Sequence, residues 1–167
     1  RKDISDKDPY NRLLSRSPRF RLDAEFVRDS ALFAAELLEL KIGGPSVYPY
    51  QPNGLWADVS HYGYPSGFTS QKYLPGSGKA NHRRSMYTVW KRTSPPPSMT
   101  IFDAPNRETC VVRRLQTNTP MQALVLQNDP QFLEAATSLG NIMSLKSSIA
   151  EGITIGFIKT LGRKPQE

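Results

Sequence analysis

Arg113-Arg114, then Thr117-Asn118, stand just before Pro120 and the apolar run that it opens. Two guanidinium forks beside the free backbone N–H groups of a helix start would make an anion site. With Asp129 they form a candidate ligand-binding set of Arg113, Arg114, Thr117, Asn118 and Asp129, suited to an acidic polysaccharide. The same donors can be used up inside the fold by Asp23, Asp103 or Asp129, because charges near a core are usually paired. The competing reading is therefore a structural polar network of Arg21, Asp23, Glu25, Arg28, Asp103, Gln122 and Asn128.

Other chemistry is harder to build. Gly76-Ser77-Gly78-Lys79 has the tail of a phosphate-binding loop, but Tyr73 stands where the first glycine belongs and Ala80 where Ser or Thr is needed. His61 and His82 are far apart and lack partners at metal-ligand spacing, so no metal site is expected. No Gly-x-Ser-x-Gly elbow is present. Cys110 lies in Cys-Val-Val, where a thiol usually serves as a small buried hydrophobe, although Arg107 or Arg113 pointed at it would activate it. Nucleic-acid binding would need Arg83, Arg84, Tyr87, Trp90 and Arg92 in one exposed stripe, and these residues suit a strand edge equally well; nucleic acid is disfavoured as a partner.

The elements that would position these groups follow from spacing and caps. Asp8-Pro9 and Ser17-Pro18 give residues 1–22 the character of turns. Acidic residues at 23, 25 and 29, then Phe26, Ser30, Phe33, Leu37 and Leu40 at intervals of three and four, predict a helix over about 23–40, stopped by Gly43-Gly44-Pro45. Residues 43–82 form a long Gly/Pro/Tyr loop without periodicity, pinned by Leu55-Trp56. Met86 to Trp90 reads as a short strand, ended by Pro95-Pro96-Pro97 in polyproline II. Thr119, Pro120 and Gln122 predict a capped helix start, with Met121, Leu124, Val125 and Leu126 as its contacts. Asp129-Pro130 repeats that grammar before Phe132, Leu133, Ala136, Leu139 and Met143. Ser148 and Glu151 open a last helix with Ile149, Ile153, Phe157 and Leu161, closed by Gly162.

Composition sets the limits. The 167 residues suit a single domain, here read as a partial one over 1–167: turns (1–22), helix (23–42), long loop (43–82), short strand and polar centre (83–118), and helices (119–167). With 38% hydrophobic residues and 14 prolines, the fold class is mostly α and loop-rich, with a few short strands. Eight basic against two acidic residues between Lys79 and Gln116 place six of the seven net positive charges there, which permits an anionic partner without requiring one. One cysteine excludes an internal disulfide, and no apolar run approaches the ~20 residues of a membrane span. The abrupt ends read as those of a piece of something longer.

Taken together, Asp8-Pro9-Tyr10-Asn11-Arg12, Arg19-Phe20-Arg21-Leu22-Asp23-Ala24-Glu25 with Arg28-Asp29, Gly43-Gly44-Pro45-Ser46, Arg83-Arg84-Ser85-Met86-Tyr87, Phe102-Asp103-Ala104-Pro105, Arg113-Arg114 to Asn128-Asp129, and Gly162-Arg163-Lys164-Pro165 form a pattern. It resembles a planctomycete-type domain of unknown function. The resemblance implies a large exported protein, placed at the periplasm or cell surface. In such proteins the domain follows a companion domain and often a cytochrome c domain. Haem c would then sit on a neighbouring domain, since this chain has no Cys-x-x-Cys-His and needs no cofactor of its own. The resemblance carries over no catalytic residue, and it places the upstream part and the C-terminal end of the family domain beyond this chain. The expected role is a structural or interaction module.

Overall fold

The structure, a computed structural model, describes residues 6–15, 21–60 and 72–166. Ser17-Pro18, Arg19, His61 and the Tyr62 to Pro65 motif lie outside the described residues. The described chain is helical and loop-rich. In chain order it contains α1 (Ala24–Ala34), α2 (Leu55–Asp58), two 3-10 turns (Gly78–His82 and Ser85–Tyr87), α3 (Pro97–Ile101), α4 (Pro120–Asn128), α5 (Pro130–Ser144) and α6 (Ile149–Leu161). No sheet forms among the described residues; strand pairing is reduced to isolated bridges, Glu39 with Arg83, Val47 with Thr88, and Lys91 with Ser94.

The C-terminal helices start where their caps predict. Gln122 reaches back so that its Oε1 accepts from the Thr119 N–H at 3.4 Å, and Asp129 Oδ1 accepts from the Gln131 N–H at 2.9 Å. The Ser148 hydroxyl accepts from the Glu151 N–H at 3.2 Å, and Gly162 ends α6 at φ 65°. The N-terminal turn at Asp8 is also formed, its carboxylate accepting from the Arg12 and Leu13 N–H groups at 2.8 and 2.9 Å.

Helix α5 is the hub, packed against α6, α1 and α4, while α3 seals the end of α1. One apolar core cluster joins Ala24, Met99 and Phe102, flanked by Val27, Trp90, Ala104 and Val125, and Leu32, Ala34, Ala35 and Ala135 are buried as well. Phe132 extends the cluster from α5, its ring 6.5 Å from that of Phe102. Between α5 and α6 the contact is made by glycines. A Cβ on Gly152 would stand 2.7 Å from the Met143 carbonyl oxygen, so bare backbone is needed there, while one on Gly156 would stand 2.9 Å from the Met143 sulfur and push that side chain aside.

Several expectations are corrected here. Helix α1 ends at Ala34, six residues short of Leu40. Glu36 turns left-handed at φ 58°, and the Leu37 N–H returns to the Leu32 carbonyl at 2.9 Å, closing a C-terminal cap without glycine. Glu39 is then drawn to pair with the His82 carbonyl at 3.0 Å. Over 86–90 the strand gives way to the 3-10 turn and a single bridge at Thr88, because the Ser85 N–H and hydroxyl are both held by Asp29. The third proline of 95–97 starts α3 instead of prolonging polyproline II, since an N1 residue needs no N–H.

The buried faces are the largest correction. The spacing located α1 but assigned it the wrong buried face: Phe26 is 53% and Phe33 66% exposed, whereas Arg28 (4%) and Asp29 (9%) are buried alongside Ala24, Leu32 and Ala34. On α6 the buried residues are the two glycines, with Ile149, Ile153 and Leu161 exposed. On α4, Gln122 is buried while Met121, Leu124 and Leu126 face outward.

Candidate functional site

Two arginine-centred clusters lie along α1, one at its middle and one at its N-terminus. In the first, Arg28 uses its whole guanidinium. Nε donates to Gln131 Oε1 at 2.7 Å, Nη1 to the Arg83 carbonyl at 2.9 Å and to Ser85 Oγ at 3.2 Å, and Nη2 to the Asn81 carbonyl. Its neighbour Asp29 accepts at Oδ1 from the Ser85 N–H (2.8 Å) and hydroxyl (2.6 Å), with Arg28 at 3.9 Å and Arg84 3.5 Å from Oδ2. Burial pulls the Arg28 guanidinium down from its usual pKa, against the opposing charges of Asp29 and Asp129. A guanidinium nevertheless stays charged, so this is a desolvated cation with a hydrogen bond at each of its three nitrogens.

Arg83 extends the brace to the loop. It donates from Nη1 to the Pro45 carbonyl at 2.9 Å and from Nη2 to the Lys41 carbonyl at 3.2 Å, and also to Gly43. Its guanidinium lies 3.9 Å from the centre of the Tyr87 ring, whose hydroxyl accepts from the Gly43 N–H at 2.8 Å. One arginine thus fixes residues 41–45, and His82 Nε2 meets Glu134 Oε1 at 3.0 Å on the far side.

The second cluster contains the arginine pair that the sequence singles out. Arg114 makes a two-pronged contact with Glu25, at 2.6 and 3.1 Å, and lies 3.5 Å from Asp23. Burial raises the Glu25 carboxyl, but the Arg114 hydrogen bonds and charge outweigh it and hold the group below its ordinary range. The bond to Glu25 correspondingly raises Arg114. Asp103, in a left-handed conformation at φ 60°, pairs with Arg21 and accepts from the Thr117 N–H at 2.8 Å and hydroxyl at 2.9 Å. Arg21 also donates to the Phe102 and Thr117 carbonyls, both at 3.0 Å. Gln122 Nε2 donates to the Ile101 carbonyl at 3.0 Å and to Thr117. The cluster thereby ties α1, α3 and the start of α4 together.

The candidate ligand-binding set is dispersed. Arg114 and Thr117 are engaged within the fold, Arg113 and Asn118 are exposed, and Asp129 stands at the other end of α4 as the cap of α5. Burial raises the Asp129 carboxyl, partly offset by its bonds to Gln131. Of the network set, Arg21, Asp23, Glu25, Asp103 and Gln122 come together. Arg28 belongs to the other cluster, and Asn128 donates only to the Leu124 carbonyl, at 2.8 Å. Arg107 stacks 4.4 Å from the Trp90 ring centre, and Cys110 is exposed, where a buried thiol was expected.

Sequence reasoning missed Ser85, Asn81 and Gln131 as brace residues, and Asp29 as its acceptor. Only the adjacency of Arg28-Asp29 and of Arg83-Arg84-Ser85 hinted at them. Among the described residues no group of three or more His, Cys, Asp or Glu could hold a metal, and no helix is long and apolar enough to cross a membrane.

No curated protein and no solved structure gives a significant match to the chain. A family model does match, over residues 1–167, so the chain belongs to the PSD1 family, described as a protein of unknown function (DUF1553).

Proposed function

We propose that this chain is a structural and interaction module of an exported, multidomain polypeptide, packing against a companion domain upstream in the same polypeptide. A cytochrome c domain elsewhere in that polypeptide would carry haem c. The export, planctomycete-type and cytochrome context rests on the sequence resemblance alone.

The observation that supports the module reading is the pair of aromatic rings that α1 leaves in solvent. The helix buries Ala24, Leu32 and Ala34 along with Arg28 and Asp29, and leaves the rings of Phe26 and Phe33 in solvent, outside its own core. Phe26, Phe33, Leu38 and Leu40 line one open groove of about 420 Å³, with Asp29, Ser30 and Arg84 among them and Lys159 and Thr160 of α6 alongside. Contiguous exposed apolar surface of this kind marks interaction sites.

Hydrogen exchange and apolar-dye binding test this on the chain alone and on the polypeptide that includes the companion domain. Protection of α1 and α6, with loss of dye binding, is expected when the companion is present. Identical exchange and no dye binding in either form would overturn the reading. A melting shift from an acidic polysaccharide, lost in Arg113→Ala, would favour a ligand site at the exposed arginine instead.

A further inference from the structure

Beneath the 47–51 loop, two buried polar side chains lack any partner: Gln51, 4% exposed, at Oε1, and Thr88, 5% exposed, at Oγ1. Both line the same cavity, of about 10 Å³, with Ser98, Tyr73 and Gln131 on its other walls. Two of the protein groups nearby are already engaged elsewhere. The Tyr73 hydroxyl donates to the Pro49 carbonyl, while the Gln131 amide donates to the Tyr50 carbonyl at 3.3 Å and accepts from Arg28 at 2.7 Å.

Backbone pairing holds the Thr88 segment in place. The Val47 N–H donates to the Tyr87 carbonyl at 2.8 Å, and the Val89 N–H to the Val47 carbonyl at 2.9 Å, so Thr88 is locked opposite Val47. A buried acceptor left unpaired is costly, and a polar cavity of this size holds one water when two or more polar groups face it.

We infer that a single water molecule is bound in this cavity as an integral part of the fold. It donates to Gln51 Oε1 and accepts from the Thr88 hydroxyl, and the Ser98 hydroxyl on the same wall offers a third partner. It lies next to the brace. Gln131 lines the cavity and also receives Arg28, so the water sits beside the residue that orients the buried arginine.

The test is a high-resolution crystal structure of the full-length polypeptide, with Thr88→Val and Thr88→Ser variants melted in parallel. The expected result is one ordered water within hydrogen-bond distance of Gln51 Oε1 and Thr88 Oγ1, and a melting temperature lowered by several degrees in Thr88→Val but kept in Thr88→Ser. An empty cavity, or Gln51 turned onto a protein donor, would overturn the inference, as would a Thr88→Val protein that melts like the wild type. The wild-type density decides the matter even where the valine variant fails to fold.

Discussion

The two arginine clusters on α1 use the same chemistry in different surroundings. Arg28 is sealed from solvent and satisfied by carbonyls, a hydroxyl and an amide, with a carboxylate beside it at 3.9 Å. Arg114 is a third exposed at its side chain and is held almost wholly by carboxylates. Removing a partner from a buried charged network strands groups that water cannot reach, whereas water replaces most of what is lost at a half-exposed pair. The buried cluster therefore sets the arrangement of the fold, and the outer one fastens a loop to it.

The largest effect should come from Arg28→Ala, which leaves the Asp29 carboxylate without its buried cation and strips donors from the Arg83 and Asn81 carbonyls. A loss of about 3–5 kcal/mol in urea unfolding is expected, and Arg28→Lys should not restore it, because one ammonium nitrogen cannot reach the separated acceptors that three guanidinium nitrogens serve. A loss under about 1 kcal/mol would erase the distinction between the clusters.

Ser85→Ala comes next. It deletes the 2.6 Å bond to Asp29 Oδ1 and keeps the backbone one, so about 1.5–3 kcal/mol is expected for a hydrogen bond to a charged group. Calorimetry of the pair Ser85→Ala and Arg28→Ala should show non-additive losses, since both act through Asp29.

Arg114→Ala should cost about 1 kcal/mol at neutral pH, as expected of a partly exposed ion pair. Its sign with pH is fixed. The Glu25 carboxyl is lowered in the folded state, so its stabilisation is complete above the ordinary carboxylate pKa and is lost as pH falls through the lowered value. The wild-type advantage over Arg114→Ala should shrink across that acid window in melts at a series of pH values. An advantage that grew with acid would refute the pairing.

The smallest effect belongs to Asp129→Asn, since asparagine caps a helix as well as aspartate and the change should stay within about 0.5 kcal/mol. Here the sign is opposite. Burial raises the folded carboxyl, which favours the folded state below the ordinary aspartate pKa and loses that contribution as pH rises through the raised value. The asparagine variant should therefore gain relative to wild type on going from acid to neutral pH, as followed by chemical denaturation.

Much of the secondary structure was legible because its determinants are local. The signals at Thr119-Pro120, Asp129-Pro130 and Ser148 act within one helical turn, and all three helices begin where those residues place them. For the polar network the sequence offered a set that mixed residues of different places: Arg21, Asp103 and Gln122 meet around Thr117, which sequence spacing groups with the ligand-binding set, while Arg28 and Asn128 lie elsewhere. The geometry of the network was not legible, since Arg21 and Asp103 meet across more than eighty residues of chain.

The face that α1 buries was beyond the sequence for a different reason. Apolar spacing says that one stripe of a helix is apolar but not that this chain supplies the surface to cover it. Arg28 and Asp29 are buried because Asn81, Arg83, Ser85 and Gln131, from two distant segments, arrive together with enough donors and acceptors to replace water. The sequence by itself determined where helices start and which polar residues had to be satisfied, because caps and turns are short-range. Only the tertiary structure decided which face is core and which arginine is sealed, because burial of a charge depends on partners that the fold alone assembles.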